Sequence, residues 1–487
     1  MIFAPPHSKR LEALGLLVAV TVIVGMPFWF ARAGLHTYFS NDDMMNLYSY
    51  WSKSWQELLI ANVKYYSPFY RPMGGLFYRC MFAVFGLDSV PFRAACFVIM
   101  AINLGLLYAS GRALSGSREI GLLTALFGSY HARFVDLYYN TGTIYDLLCF
   151  SFYMSAFLIY TSARSQARAV PAHKIVLIVL LFICALNAKE MAITLPATLF
   201  LYELIYHRPK LIFTSVLRWC WKDLRMVWIL AALAVPFVYG KLSPDSVFSH
   251  HGDYLLHVSL KIYLTAYARY LDRMFYLQSG WFTNTRLLIL LASMVSVSIV
   301  SRRKELLFSS VFVLFSVVPV IFIEVRGSIF VLYIPFFGWV LYAATLLIWV
   351  RDGAGTFRRR VLPNVFRPAM LAGVTFAATA ILLFAVHNAH TGPVTVDTVI
   401  QSTVQQIHQI IPALPANSSV LFMDDPFSTD EWTPLFLIRL SYGHDTIRVD
   451  RIKMMPQRPS LSEIKEYSVV LTYRDNRFIR IDPAGLT

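Results

Sequence analysis

Charged residues make up only 15% of this 487-residue chain. A water-soluble protein of that length needs more charge to cover its surface, so a soluble globular fold is excluded at the outset. Acidic residues are the scarcer sign, 28 against 43 basic ones, which leaves a formal charge of +15. A basic excess can signal nucleic acid. Here the basic residues fall in short bursts between apolar runs, the distribution that the positive-inside rule produces, and we expect no nucleic-acid partner. Cysteine is sparse too. Cys80, Cys96, Cys149, Cys184 and Cys220 are scattered without CxxC spacing, and none follows residue 390. That excludes a disulfide framework and a zinc site, and leaves thiols that behave as small hydrophobes. There is no internal repeat and no low-complexity tract, so repeat architectures are excluded as well.

What the chain has in quantity is hydrophobic surface: 57% of its residues, with a mean hydropathy of +0.55. Apolar runs of near-spanning length occur at 12–31, 91–110, 119–131, 144–161, 175–188, 191–206, 226–240, 286–300, 306–323, 329–350 and 369–387. The expected fold class is therefore mainly α, a polytopic membrane helical bundle of about eleven spans. Lys9 and Arg10, the apolar run 14–24 and Ala31-Arg32-Ala33 together resemble a signal peptide. Bulky Trp29 and Phe30 beside the small-residue site, and the many spans that follow, favour an uncleaved first span.

Orientation follows from the basic residues. With the N-terminus inside, every inner segment carries a cluster, among them Arg164, Arg168 and Lys174, then Arg208, Lys210, Arg218, Lys222 and Arg225. The alternation is self-consistent. The run from 175 to 206 is too long for one helix, and both its flanks are basic. Two short helices turning at Lys189-Glu190 on the outer side satisfy that parity. The outer loops are then 33–90, 132–143, 241–285 and 324–328, with everything after His387 outside. The tail has a different composition. An apolar-periodic helix at 404–411 precedes the strand-like segments SSVLFMDD, EYSVVLTY and RFIRID, with a hairpin turn around Arg474-Asp475-Asn476. This reads as a small extracytoplasmic α/β domain at 391–487, behind a membrane domain at 1–390.

The first outer loop is where chemistry is expected. It opens on Ser40-Asn41-Asp42-Asp43. Ser40 and Asp43 have the spacing of a capping box, and Met44, Leu47, Tyr48, Trp51 and Trp55 follow at helical spacing. A helix cap is the plain account of the acidic pair. The chemical account is that a helix N-terminus keeps a carboxylate ionised, able to take a proton from an attacking hydroxyl. The segment YYSPFYRPMGGLFYR follows, with Arg71 and Arg79 beside an aromatic belt. These arginines either contact lipid headgroups or grip a phosphate. Lys189-Glu190 forms a snorkelling ion pair or supplies a point charge to a phosphate. His131, Arg133, Asp136 and Asp146 surround the second outer loop, and Arg326 stands in IEVRGS. His250, His251, Asp253 and His257 do not form a strong metal spacing. Asp424-Asp425 reads as a turn rather than a catalytic pair.

Taken together, Asp42-Asp43 after the first span, YYSPFYRPMGGLFYR, NAKEMAITLPATLFLYEL and VRGSIFVLYIPFFGWVLYAA resemble the GT-C glycosyltransferases that use polyprenyl-phosphate sugars. Protein O-mannosyltransferases and the aminoarabinose transferases of lipid A are among them. The third segment is similar to their "KE…P" helix turn and the fourth to their late "R…Y..P..G" span. The resemblance covers most of residues 11–350 and rests on the order of these segments.

It implies an inverting transfer of a sugar from a polyprenyl-phosphate donor to an acceptor hydroxyl on a lipid, glycan or protein, at the outer face of a cell (inner) membrane. Asp42 or Asp43 is then the catalytic base. Lys189, Arg71 and Arg326 bind the donor phosphate, with Glu190, His131 and Asp146 as second-tier residues. Some members hold a divalent metal near the acid, a point this sequence leaves open. An oligosaccharide ligase or polymerase built on the 241–285 loop is the nearest rival, and a transporter or flippase without covalent chemistry is the other. The topology predicts that alkaline phosphatase fused after residue 390 is active and that a fusion within 208–225 is inactive. The reverse pattern would overturn the orientation.

Overall fold

The computed structural model describes residues 6–165, 170–244, 258–322, 328–359, 368–392 and 398–482. It is mainly helical, with a small sheet near the C-terminus. Among the described residues seven helices are long and apolar enough to cross a membrane: Ala13–His36, Ser89–Ser115, Thr141–Arg164, Asn284–Ser301, Lys304–Ile321, Ile329–Gly353 and Met370–His390. An eighth counts if Phe213–Asp223 and Arg225–Lys241, bent by 56° at Leu224, form one span.

Those seven match seven of the eleven apolar runs in the sequence. The other four runs make shorter helices, each for a local reason. The run at 119–131 stops as a helix at Phe127, before Gly128. The long 175–206 run breaks at Lys189, whose backbone is extended. The 226–240 run forms the second half of the bent pair.

The first half of the bundle runs α1 (Pro6–Ala31), α2 (Asn41–Trp51), α3 (Trp55–Val63), α4 (Pro72–Phe85), α5 (Ser89–Ser115), α6 (Arg118–Phe127), α7 (Val135–Tyr139), α8 (Ile144–Arg164), α9 (Ala172–Ala188), α10 (Leu195–Tyr206), α11 (Phe213–Arg218) and α12 (Arg225–Lys241). Their starts follow the sequence. Ser40, Ser54, Asp88 and Ser117 accept hydrogen bonds from early backbone N–H groups of α2, α3, α5 and α6, and Pro72 opens α4 where its missing N–H costs nothing.

The interior is aromatic. α8 packs between α5 and α9 and buries Phe150, Tyr153, Phe157 and Tyr160, which meet Tyr333, Thr198, Tyr202 and Glu203 respectively. The Ile329–Gly353 span is 83% buried and the Met370–His390 span 11%, so the former is central and the latter lies at the rim.

Pairing along α8 shows how α9 and α10 run. Lys189, just past the end of α9, reaches Asp146 at the start of α8; Tyr153 meets Thr198; and Arg164 at the end of α8 grips Glu203 late in α10. α9 is therefore antiparallel to α8 and α10 parallel to it, so the chain reverses at Lys189-Glu190, the helical hairpin expected from the sequence.

The C-terminal sheet has strand order β2-β1-β3-β4, from β1 (Ser419–Phe422), β2 (Arg448–Arg451), β3 (Val469–Arg474) and β4 (Arg477–Ile481). β1 runs parallel to both β2 and β3, with a helix in each crossover, while β3 and β4 form an antiparallel hairpin. Asp475 and Asn476 at its tip have φ of 50° and 61°, the left-handed pair that a two-residue turn of this hand requires. Side chains are buried on both faces of β1 and β3, with Val420, Phe422 and Leu471 on one and Leu421 and Val470 on the other. That accounts for near-continuous apolar runs instead of alternation.

The C-terminal end of α12 supports the 65–70 segment. Lys241 Nζ donates to the Phe69 carbonyl at 2.7 Å. Gly240 lies so close to Tyr66 that a Cβ would stand 1.7 Å from its carbonyl oxygen. Gly240→Ala is therefore expected to cost about 1–3 kcal/mol of overpacking strain, read as a lowered thermal midpoint of the purified protein. Gly105→Ala, with nothing within 4 Å of the added Cβ, should leave that midpoint unchanged or slightly higher. Equal effects at both sites would contradict the packing described.

Candidate functional site

The capping box sends the two adjacent carboxylates of α2 in different directions, because successive residues on a helix are about 100° apart. Asp43 points inward and is fully buried. Its Oδ2 accepts from the Ser40 N–H at 3.0 Å and from Arg93 Nη2 at 3.1 Å, and its Oδ1 from the Gly142 N–H at 2.7 Å. Arg93, also buried, donates to the carbonyls of Thr37 and Tyr38. One ion pair thus joins the start of α2, the start of α5 and the turn before α8. Asp42 points outward and lines a cavity of about 400 Å³.

Cations reach the same cavity from two other elements. Arg71 stands at the N-cap of α4 with φ of 40°, a left-handed backbone that a non-glycine residue seldom adopts. Its guanidinium makes a two-pronged pair with Glu190, Nε to Oε1 at 3.2 Å and Nη2 to Oε2 at 2.9 Å, and lies over the rings of Tyr70 and Tyr145. Burial would push the Glu190 carboxyl up, but the Arg71 charge and hydrogen bonds outweigh it and hold the group at about 2. Lys189 is buried at the hairpin tip, with Nζ 2.5 Å from Asp146 Oδ1 and 5.0 Å from the centre of the Phe330 ring. Arg71, Asp146 and Lys189 line the cavity with Asp42.

Of the residues singled out by sequence, Asp42, Arg71, Asp146 and Lys189 therefore converge, and Glu190 holds one of them from behind. Asp43 belongs to the scaffold beneath. His131 does not line the cavity. Its Nε2 lies 2.9 Å from the Met274 carbonyl, its ring stacks on Tyr276, and burial holds its pKa down at about 3. It anchors the loop that leads into α7. Arg326 and the 250–257 histidines lie outside the described residues. Among the described residues no three His, Cys, Asp or Glu side chains gather closely enough to hold a metal ion.

The cavity also contains polar residues to which sequence reasoning assigned no role. Asp136, on α7, lines it. Burial pushes its carboxyl up, the Ser328 hydroxyl partly offsets this, and Asp146 adds to the rise. Asn46 donates to the Asp42 carbonyl at 2.8 Å and accepts from the Tyr145 hydroxyl at 2.8 Å. Asn140 and Ser328 complete the polar wall. Asp136 had only its place in the second outer loop to mark it, and no spacing links it to α2.

Removing one partner of a buried ion pair strands the other charge, at a cost of about 3–5 kcal/mol. Asp43→Ala and Arg93→Ala should each lower the thermal midpoint sharply, whereas Asp42→Ala should barely move it. An Asp43→Ala protein as stable as wild type would refute the structural role given to that carboxylate. No family model matches this chain, and no curated protein sequence matches it either.

Proposed function

We propose that this protein is an inverting glycosyltransferase of the GT-C type, moving a sugar from a polyprenyl phosphate to an acceptor hydroxyl at the outer face of the membrane. The observation that carries the reading is convergence. Asp42, Arg71 and Lys189 come from separate stretches of sequence, yet they line one polar cavity of about 400 Å³.

The chemistry assigned to each follows from its surroundings. The acceptor oxygen attacks the anomeric carbon, its proton passes to the Asp42 carboxylate, and the bond from that carbon to the phosphate oxygen breaks. The electron pair leaves with the lipid phosphate, and the configuration inverts. A phosphate is already a good leaving group, so one base and a cationic cradle suffice without a general acid. Asp43 is a poor base because both its oxygens already accept hydrogen bonds and one faces Arg93. Lys189 and Arg71 are held by Asp146 and Glu190 and both line the cavity, where their positive charge would face the phosphate oxygens. The carboxylate partners keep both cations aimed before substrate arrives, which lowers the reorganisation needed in the transition state. Asp136 and Asn140 are placed to orient the acceptor.

On the expected topology of eleven crossings, which counts the seven long helices, the bent α11–α12 pair, the short α6 and the two arms of the α9–α10 hairpin, this cavity and the C-terminal sheet would both lie outside. The assay is transfer of radiolabelled sugar from a polyprenyl phosphate by the protein purified in lipid nanodiscs. Asp42→Asn should lower kcat by about 10²–10⁴-fold without loss of folding, as expected for removal of a general base. Lys189→Met should raise the donor KM as well as lower kcat. Wild-type protein that forms no covalent product, or an Asp42→Asn variant with the wild-type rate, would overturn the proposal; flux of an unmodified lipid would identify a transporter instead.

A further inference from the structure

The C-terminal unit is not an appendage, because the loop at Glu431 and the helix Thr433–Tyr442 bear directly on the helix that carries Asp42. Asn41, the residue before Asp42, donates from Nδ2 to Glu431 Oε2 at 2.8 Å, and its Oδ1 accepts from the Thr433 hydroxyl at 3.2 Å. Both polar atoms of one side chain are thus held by the tail, across about 390 residues of sequence. About two helical turns further on, Tyr48 stacks on Phe436 with ring centres 4.7 Å apart and accepts from Arg439.

The loop that delivers Glu431 is itself braced. Buried Arg451 makes a two-pronged pair with buried Asp425, Nε to Oδ2 at 2.9 Å and Nη2 to Oδ1 at 2.7 Å. The same guanidinium donates to the carbonyls of Phe427, Ser428 and Glu431, while Lys453 donates to the carbonyls of Asp425 and Phe427. Ser428 donates to the second oxygen of Glu431. A loop with so many of its carbonyls tied to one buried cation has little freedom, so the Glu431 carboxylate is presented to Asn41 in a fixed place.

We propose that the C-terminal α/β unit is a positioning element for Asp42, acting through the Glu431–Asn41–Thr433 clamp on the first turn of α2. This rests on the reading of Asp42 as the base. The capping box fixes the backbone of that turn only from its inner side, through Asp43. The clamp fixes it from the outer side, and the two together set the direction in which Asp42 enters the cavity. Glu431 and Thr433 are positioning residues; neither lines the cavity.

The experiment uses the full chain in nanodiscs and two independent readouts. The first is the rate at which a methanethiosulfonate reagent labels an Asp42→Cys variant, corrected for the five native cysteines. Combined with Glu431→Ala that rate should change about fivefold, the size expected from losing one charge-assisted hydrogen bond, and with Glu431→Gln, which keeps an acceptor, it should stay within about twofold. Thr433→Val serves as a second variant that keeps shape and removes only the hydroxyl; its change should be smaller and in the same direction. The second readout is sugar transfer by the chain with Asp42 intact. Glu431→Ala should lower kcat about tenfold with the donor KM within about twofold, and Glu431→Gln should restore most of the rate.

Labelling and kcat that ignore Glu431→Ala, or a Glu431→Gln variant as impaired as Glu431→Ala, would overturn the proposal. If wild type transfers no sugar while labelling responds as described, the clamp stands and only the assigned reaction falls.

Discussion

A single buried ion pair, Asp43 with Arg93, sets the geometry on which the candidate site depends. Burying two charges is costly in a low-dielectric interior, and their mutual attraction repays it only when the remaining hydrogen-bonding positions are filled. Here most are filled by backbone, the N–H groups of Ser40 and Gly142 on the carboxylate and the carbonyls of Thr37 and Tyr38 on the guanidinium, while Arg93 Nη1 is buried without a hydrogen-bond partner among the described residues. Those partners come from two segments, the 37–40 stretch that leads into α2 and the turn before α8. The pair therefore does less for net stability than for uniqueness of arrangement, since a slip in any one segment would strand a charge. With Asp43 fixed beneath, its neighbour Asp42 is turned the other way and lines the cavity.

The same logic operates a second time on the cavity wall. Arg71 and Lys189 come to the cavity already paired, with Glu190 and Asp146. Pairing offsets part of the cost of burying each charge and holds each side chain in one orientation. An Arg at a left-handed N-cap, locked between a carboxylate and two tyrosine rings, is a rigid donor array. Sites that stabilise developing charge work by such prior fixation, because dipoles and charges that need not move at the moment of reaction cost nothing to align. The far ends of α8 and α10 hold a comparable cluster of Arg164, Glu203 and Asp223, which pins the helices that carry Asp146 and Lys189 at their other end.

The tail extends this chain of constraint beyond the membrane helices. Its sheet buries both faces of β1 and β3, and the loop braced by Arg451 meets the first turn of α2. α2 has only eleven residues and few intrinsic reasons to hold one orientation at a membrane surface. Its placement comes from being gripped on two sides.

Much of the architecture was legible in the residues themselves. The capping box at Ser40 and Asp43, the chain reversal at Lys189-Glu190, the hairpin turn at Asp475-Asn476 and seven membrane-length helices all rest on local chemistry: side-chain hydrogen bonds within a turn, charges interrupting an apolar run, residues that tolerate positive φ, and unbroken hydrophobic length. The span count of about eleven went beyond the helices long enough to cross, because hydropathy does not report where a helix bends at Leu224 or stops before Gly128.

What sequence left open was which of two adjacent carboxylates faces the cavity, and that Asp136, Glu431 and Thr433 belong to the same story. A helix separates Asp42 from Asp43 by direction alone, and only partners 50 and 99 residues away, Arg93 and Gly142, decide which direction is the interior. Local rules set the backbone of that turn; the long-range burial of one charge gave the turn its inside and its outside.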